Sequence, residues 1–132
     1  MRPATKEWLK AGELDLRTME KLIGDEHLTC IVAFHAQQLV EKTFKALFEE
    51  HCIDIPKIHS LIALWKRLDH YWSEFQFVDE DTLHRLDLLY IDARYPGDLG
   101  LLPDGAPLTE DAQHFYDFSR ELYERAKKLL QT

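Results

Sequence analysis

The sequence predicts an all-α fold, a single-domain up-and-down bundle of about five helices. One stretch, from Leu28 to Cys52, contains no Gly or Pro over about seven helical turns. Other segments place apolar residues at the three- and four-residue spacing of amphipathic helices, and none alternates convincingly as a strand does. The 132 residues, 45% of them hydrophobic, are enough for one sizeable core. We therefore expect one domain over residues 1–132.

The stretch from Leu28 to Cys52 is expected to be the central helix of the bundle. Turning each residue by about 100° collects most of its apolar side chains on one broad arc. We expect this arc to lie in the core. Its members are Val32, Ala33, Ala36, Leu39, Val40, Thr43, Phe44, Ala46 and Leu47.

The remaining arc of this helix carries a polar stripe, made of His35, Gln38, Lys42 and Lys45. Such a stripe is normally solvated, but Phe34 and Ile31 flank it and would expose apolar area unless a second copy or another partner covered them. We therefore predict an interface formed by Phe34, Ile31 and Gln38, and a homodimer in solution. Lys42 and His35 are predicted to be polar contacts rather than catalysts.

Four further helices are expected around the central one. Their limits follow from caps, helix-stopping glycines and prolines that disfavour helical conformation in the preceding residue. Residues 97–107 have the Gly and Pro content of a loop. In chain order, the predictions are a helix from Thr5 to Ile23 ended by Gly24, a short helix capped by His59 or Ser60 that contains Leu61, Leu64, Trp65 and Leu68, a helix from Asp79 to about Arg94, and a last helix capped by Thr109.

Two blocks of the sequence carry a family resemblance. The first reads Phe34-His35-Ala36-Gln37-Gln38, followed by Val40-Glu41-Lys42 and Lys45-Ala46-Leu47; the second runs from Leu86 to Ala93-Arg94-Tyr95-Pro96, and His59-Ser60-Leu61 lies between them. In this order and at this separation, they resemble the second-helix signature and a later block of HEPN domains. These are small helical proteins often encoded beside minimal nucleotidyltransferases. The resemblance spans most of the chain.

The resemblance implies two alternative functions. Many HEPN domains are metal-independent ribonucleases, in which an Arg binds the phosphate and a His four to six residues later moves the proton. No Arg of this chain has a His at that spacing, and the first His after Arg94 is His114. The resemblance therefore favours a non-catalytic module that dimerises, binds a nucleotide or phosphate group and acts with a nucleotidyltransferase partner. The alternative is a ribonuclease toxin of a toxin–antitoxin pair, with another base in place of the missing His.

Arg94 is the main candidate for holding an anion. It precedes the Tyr95-Pro96 break, and its planar guanidinium suits a phosphate. The structural alternatives are that it binds carbonyls at its helix end or pairs with Asp87, seven residues earlier on nearly the same face. We predict that Arg94, Lys42 and Lys45 line an anion-binding cleft between the second and fourth helices, with His35 and Asp87 as further ligand residues. Converging cations are needed because the net charge of −8 repels a phosphate.

Composition and motifs argue against several other classes. An excess of 24 acidic over 16 basic residues argues against non-specific wrapping of nucleic acid, so no DNA partner is expected and RNA remains only for the ribonuclease alternative. Asp81 and His84, like Asp111 and His114, have the spacing of a di-iron motif, but both Asp residues fall at helix starts, so no metal or cofactor is predicted. The chain lacks an apolar secretory segment and any run of roughly 20 apolar residues, so a soluble cytoplasmic protein without membrane contact is expected.

Overall fold

The computed structural model describes residues 1–69, 73–94 and 106–131, apart from the side chains of residues 69 and 91–94. In this part, the chain forms five α-helices and one short 3₁₀ helix and no strand, which confirms the predicted all-α class. Most of the predicted 97–107 loop lies outside the described residues, and Thr109 is the first helical residue rather than the cap. The helices are α1 Pro3–Leu22, α2 Thr29–Glu50, α3 Leu61–Asp69, the 3₁₀ helix Ser73–Phe77, α4 Glu80–Arg94 and α5 Thr109–Leu130.

Helix α2 is the centre of the bundle, as predicted, and contacts α1, α3, α4 and α5. Every residue of its predicted core arc is buried. Helix α1 packs closely against it at Gly12, where an added Cβ would lie 3.1 Å from Leu39 Cδ1. No helix of the described residues is long and apolar enough to cross a membrane.

The first turn of α1 is attached to the last turn of α2. Glu50 Oε1 accepts hydrogen bonds from the Arg2 backbone N–H at 2.8 Å and from Thr5 Oγ1 at 3.1 Å. The bond from Arg2 is the main cause that lowers the pKa of Glu50. The chain turns between the two helices at Gly24, whose φ is +94°. A residue with a side chain rarely adopts this backbone conformation. The middle of α1 therefore faces the middle of α2, where the polar residues of the candidate site lie.

Candidate functional site

The polar stripe of α2 is largely enclosed by neighbouring helices rather than solvated. Ile31, at 42% exposure, is the one residue of α2 that is exposed. Phe34, His35, Gln38 and Lys42 are half-buried, and Lys45 is buried. Phe34 contacts Tyr90 of α4, and His35 and Lys42 contact Asp15 of α1. The interface of Phe34, Ile31 and Gln38 stays a prediction.

The first group of enclosed polar residues is the Asp15 cluster, made of Asp15, His35 and Lys42. His35 Nδ1 donates to Asp15 Oδ1 at 2.8 Å, and Lys42 Nζ donates to Asp15 Oδ2 at 2.7 Å. The Asp15 side chain is only 7% exposed, whereas His35 and Lys42 are 23% and 24% exposed. A buried carboxylate without such partners would be strongly unfavourable, so this cluster joins α1 to α2.

Asp15 was not among the residues singled out from the sequence. The sequence contains a signal for it, because Asp15 follows Gly12 by three residues and precedes Met19 by four, on the apolar face of α1. A charged residue at such a position needs a partner on the neighbouring helix. The predicted stripe on α2 supplied that partner, since His35 and Lys42 are seven residues apart and bind the same carboxylate.

The second group is the Glu41 cluster, made of Glu41, Gln37, Lys45 and His59. Glu41 accepts hydrogen bonds from Lys45 Nζ at 3.2 Å, from Gln37 Nε2 at 3.2 Å and from His59 Nδ1 at 3.2 Å. The side chains of Glu41 and Lys45 are 7% and 10% exposed, but that of His59 is 61% exposed. The cluster therefore holds an accessible imidazole against an enclosed carboxylate.

Two of the residues singled out in the sequence, Gln38 and Lys45, make further contacts at the Glu41 cluster. Gln38 Nε2 donates to Gln37 Oε1 at 2.7 Å, so the Gln38 side chain holds the Gln37 amide in place. Lys45 Nζ lies 5.7 Å from the centroid of the Trp8 ring, a cation–π contact that adds to its ion pair. Lys42 and Lys45 thus converge on carboxylates rather than forming an open pair of positive charges.

An aromatic row connects the two clusters. Phe34 stacks on Tyr90 of α4, with centroids 5.8 Å apart and ring planes at 11°. The rings of His35 and Phe34 are nearly perpendicular with centroids 5.2 Å apart, and the His59 ring lies 6.0 Å from that of Tyr90. The aromatic row is therefore His35, Phe34, Tyr90 and His59, with a carboxylate-bound imidazole at each end. Tyr90 covers one face of Phe34 within the same chain.

Asp87, predicted as a ligand residue, caps α3 from α4. Its carboxylate accepts hydrogen bonds from the backbone N–H of Leu61 at 2.8 Å and of Ile62 at 3.4 Å, and from Ser60 Oγ at 3.2 Å. Burial is the main cause that raises the pKa of Asp87. Its observed contacts are structural, since they satisfy the first N–H groups of a helix and fix the segment that carries His59. The Arg94 side chain lies outside the described residues, so its pairing with Asp87 stays a prediction.

Asp111 and His114, the second of the two metal motifs considered, have other partners. Asp111 accepts the Leu108 backbone N–H at 2.9 Å and pairs with Arg85 at 3.0 Å, and these contacts, the first above all, lower its pKa. His114 Nε2 lies 3.1 Å from Thr82 Oγ1. Within the described residues, no three His, Cys, Asp or Glu side chains form a group suited to a metal ion. Asp111 has the helix-start role that the sequence predicted.

The arrangement can do two kinds of chemistry. An imidazole held through Nδ1 by a carboxylate has a fixed ring and presents Nε2 to a ligand, as in a general base or an anion-binding histidine. The exposed His59 has this geometry, and His35 has it in a more enclosed setting. The aromatic row offers ring surface beside these nitrogens, a combination that suits a flat heterocycle joined to an anionic group.

Comparison with known proteins identifies one family. Residues 5–129 match the model of the HEPN domain. Comparison with curated proteins and with solved structures gives no significant match. The family match covers nearly the whole bundle, including α2, α4 and both clusters, and it agrees with the all-α architecture. The chain therefore belongs to the HEPN domain family.

Proposed function

We propose that this protein is a dimeric HEPN module that binds a nucleotide or phosphate group on the surface of α2 and α4 and acts with a nucleotidyltransferase partner. The observation that carries the proposal is the aromatic row with an oriented imidazole at each end. Aromatic side chains provide stacking surface for a nucleobase, and imidazole N–H groups bind phosphate oxygens. The partner class comes from the family.

Charge refines the proposed ligand position. In each cluster one lysine and one carboxylate balance, so the additional positive charge is proposed to come from Arg94. Arg94 follows Tyr90 by four residues on α4, at the spacing of one helical turn. The proposed site therefore combines the Tyr90 ring, His59 and Arg94. Lys42 and Lys45 act indirectly, because they neutralise the carboxylates of Asp15 and Glu41, which would otherwise repel an anionic ligand.

Calorimetric titration tests the ligand. ATP, GTP and a short oligonucleotide are titrated against the wild type, Arg94→Ala and the control Lys10→Ala, which changes an exposed cation of α1. Loss of Arg94 should weaken nucleotide binding by about 1.5 to 3 kcal/mol, the scale of a charge-assisted hydrogen bond. The control should bind as the wild type does. Equal binding by all three proteins, or binding by none, contradicts the proposed site.

Exposed apolar side chains support the proposed dimer. Ile31 on α2 is 42% exposed and Leu88 on α4 is 51% exposed, and these two helices carry Phe34, His35 and Tyr90 of the aromatic row. Sedimentation at micromolar concentration should give twice the chain mass of 15.6 kDa. Ile31→Glu should shift the protein toward monomer, because a charge in a desolvated contact is unfavourable. The matched control is Leu14→Glu on α1, where Leu14 is 67% exposed. A monomeric wild type would contradict the dimer.

The partner is tested by co-purification. Tagged protein isolated from its own cells, and identified by mass spectrometry, should retain a nucleotidyltransferase. The proposed dimer surface is separate from the partner surface, so Ile31→Glu should retain the nucleotidyltransferase as well. Isolation of the chain with no nucleotidyltransferase contradicts the partner proposal. It does not affect the ligand and dimer proposals, which are tested separately.

A second function, ribonuclease activity of a toxin, is favoured by one observation. His59 and His35 are each oriented by a carboxylate, which is the arrangement that a general base requires even without the family's Arg and His spacing. Purified protein is incubated with RNA beside His59→Ala, His35→Ala and the control His27→Ala, an exposed residue outside both clusters. The binding-module proposal expects no cleavage above a buffer control. Cleavage that disappears in His59→Ala or His35→Ala and survives in His27→Ala establishes the ribonuclease instead.

A further inference from the structure

We propose that a groove between the 3₁₀ helix and the C-terminal part of α5 binds a peptide segment of a partner protein, in which an apolar anchor side chain is followed by acidic residues. This groove lies beyond the C-terminal end of α3, whereas His59 precedes the N-terminal end of that helix. Its volume is about 330 Å³. The lining residues are Glu74, Phe75, Phe77, Arg125, Lys128 and Leu129.

The floor of the groove is fixed and its walls are partly open to water. Phe75 is 2% exposed, and its carbonyl accepts a hydrogen bond from Trp65 Nε1 at 3.0 Å, which attaches the 3₁₀ helix to α3. Phe77 is 39% exposed and Leu129 is half-buried. Apolar side chains gathered around a concave space favour an apolar occupant, and a space of this size accepts an aromatic or branched aliphatic side chain.

The charges around the groove select an acidic neighbour for that anchor. Arg125 and Lys128 lie on the α5 side, in a chain whose net charge is −8. The Arg125 guanidinium lies 4.0 Å from the centroid of the Phe77 ring, so it borders the apolar surface directly. Its ion pair with Glu121 spans 3.0 Å but is more than half exposed on both sides, so it is weak and leaves Arg125 able to bind a second carboxylate.

Glu74 gives the groove a direction. It lies on the 3₁₀ helix, so the negative charge stands on one side and the two cations stand on the other. An acidic segment is therefore favoured when its anchor lies in the groove and its carboxylates lie on the α5 side. The opposite orientation would place those carboxylates beside Glu74.

The open shape favours a peptide segment over a free small molecule. Glu74, Phe77, Arg125 and Lys128 are all exposed, so the groove covers only one side of its occupant. Small ligands usually bury most of their surface in a pocket. A segment of a larger protein has no such need, because the rest of the partner supplies further contacts.

The test is a titration of the isotope-labelled protein, followed by amide chemical shifts, with a capped Gly-Leu-Phe-Asp-Asp peptide. We expect saturable shifts confined to residues 73–77 and 125–129, with a Kd on the order of 1 mM for one anchor and its charges. The matched Gly-Leu-Phe-Asn-Asn peptide should bind about fivefold more weakly, because it lacks the carboxylates. Absence of shifts at millimolar peptide, shifts elsewhere, or equal binding by the two peptides overturns the proposal. Hexanoate binding more tightly than the Asp peptide would assign the groove to small carboxylates and overturn it too.

Substitutions locate the interaction. Lys128→Glu and Arg125→Gln should each weaken binding of the Asp peptide, the first by about tenfold, and leave the Asn peptide nearly unaffected. Lys10→Glu, an equal charge reversal at an exposed position of α1, should change the Kd by less than about twofold. Both Lys128 and Lys10 are exposed, so the folded state is expected to survive, and circular dichroism checks it. Equal effects of Lys128→Glu and Lys10→Glu show non-specific attraction and contradict the assigned groove.

Discussion

The Asp15 cluster and the Glu41 cluster each join a carboxylate to a lysine and a histidine, but they differ in contact length, in connectivity and in access to water. Asp15 receives contacts of 2.7 and 2.8 Å from a neighbouring helix. Glu41 receives contacts of 3.2 Å, one of them from Lys45 four residues later on its own helix. His59 is 61% exposed and His35 is 23% exposed.

These differences indicate that the Asp15 cluster mainly stabilises the fold, whereas the Glu41 cluster keeps a histidine available to a ligand. Short contacts between helices, enclosed on most sides, stabilise the packing of α1 on α2. Longer contacts, one of which reaches a solvent-exposed His, add less to stability but leave a ring nitrogen open to a ligand. A carboxylate, a lysine and a histidine therefore have different roles in the two clusters, because the burial of the histidine and the origin of its partners differ.

The largest expected effect is that of Asp15→Ala. It removes both cross-helix contacts and leaves Lys42 and His35 without their carboxylate, so the free energy of unfolding should fall by about 3 kcal/mol. Urea denaturation followed by circular dichroism measures it. Glu13→Ala, which removes an exposed partner of Arg17, serves as the control and should cost less than about 0.5 kcal/mol. Similar small losses in both variants would falsify the stabilising role of the Asp15 cluster.

Glu41→Ala should come second, with a loss of about 2 kcal/mol. The variant leaves the enclosed Lys45 unpaired, but Gln37 keeps its hydrogen bond to the His59 carbonyl and the cation–π contact with Trp8 remains. The same denaturation measurement applies. Glu121→Ala on α5, which removes an exposed i,i+4 partner of Arg125, is the matched control. A loss as large as that of Asp15→Ala would remove the distinction between the two clusters.

Asp87→Ala tests the cap that positions the start of α3 beside the Glu41 cluster. Loss of a capping side chain usually costs about 1 kcal/mol. Asp87 accepts the N–H groups of Leu61 and Ile62, while Ser60 Oγ accepts that of Ala63 at 3.3 Å. Asp81→Ala, at an exposed position in the first turn of α4, is the comparison and should cost less. Equal losses would show that the cap has no specific role.

Asp87 also predicts a pH dependence of stability. Burial raises the pKa of Asp87 above its ordinary value of 3.8, so the protonated form is favoured more in the folded chain than in the unfolded chain. Its contribution is fully present below that ordinary value and is lost as the pH rises through the folded-state pKa. The stability of the wild type relative to Asp87→Asn should therefore fall as the pH rises above that ordinary value of 3.8. An increase over that range would contradict the assignment.

The smallest expected effect is that of His59→Ala, below about 0.5 kcal/mol, because its side chain is 61% exposed. His35→Ala should cost about 1 kcal/mol, since it removes a short contact to the enclosed Asp15. Thermal unfolding of the two variants side by side makes the comparison. Should His59→Ala prove the more costly, the exposed imidazole would be a structural element rather than an available one.

The sequence by itself determined the helical class, the limits of most helices and the buried face of α2. These follow from local physics, because a period of 3.6 residues shows which side of a helix is apolar, and because a glycine such as Gly24 or a residue that precedes a proline disfavours continuation of a helix. The family resemblance was also contained in the sequence, and the match to residues 5–129 confirms it. The stripe of His35 and Lys42 was recognised as one surface, but its partner was not.

Only the tertiary structure decided what these surfaces contact. Asp15 and His35 are 20 residues apart in the chain, and Ser60 and Asp87 are 27 apart, so their meeting depends on how the helices pack and on their relative register. Periodicity gives the direction of a side chain from its own helix but not the residue that faces it on the next. For that reason Lys42 and Lys45 were predicted as open cations, whereas packing placed each against an enclosed carboxylate, and the same packing stacked Tyr90 on Phe34.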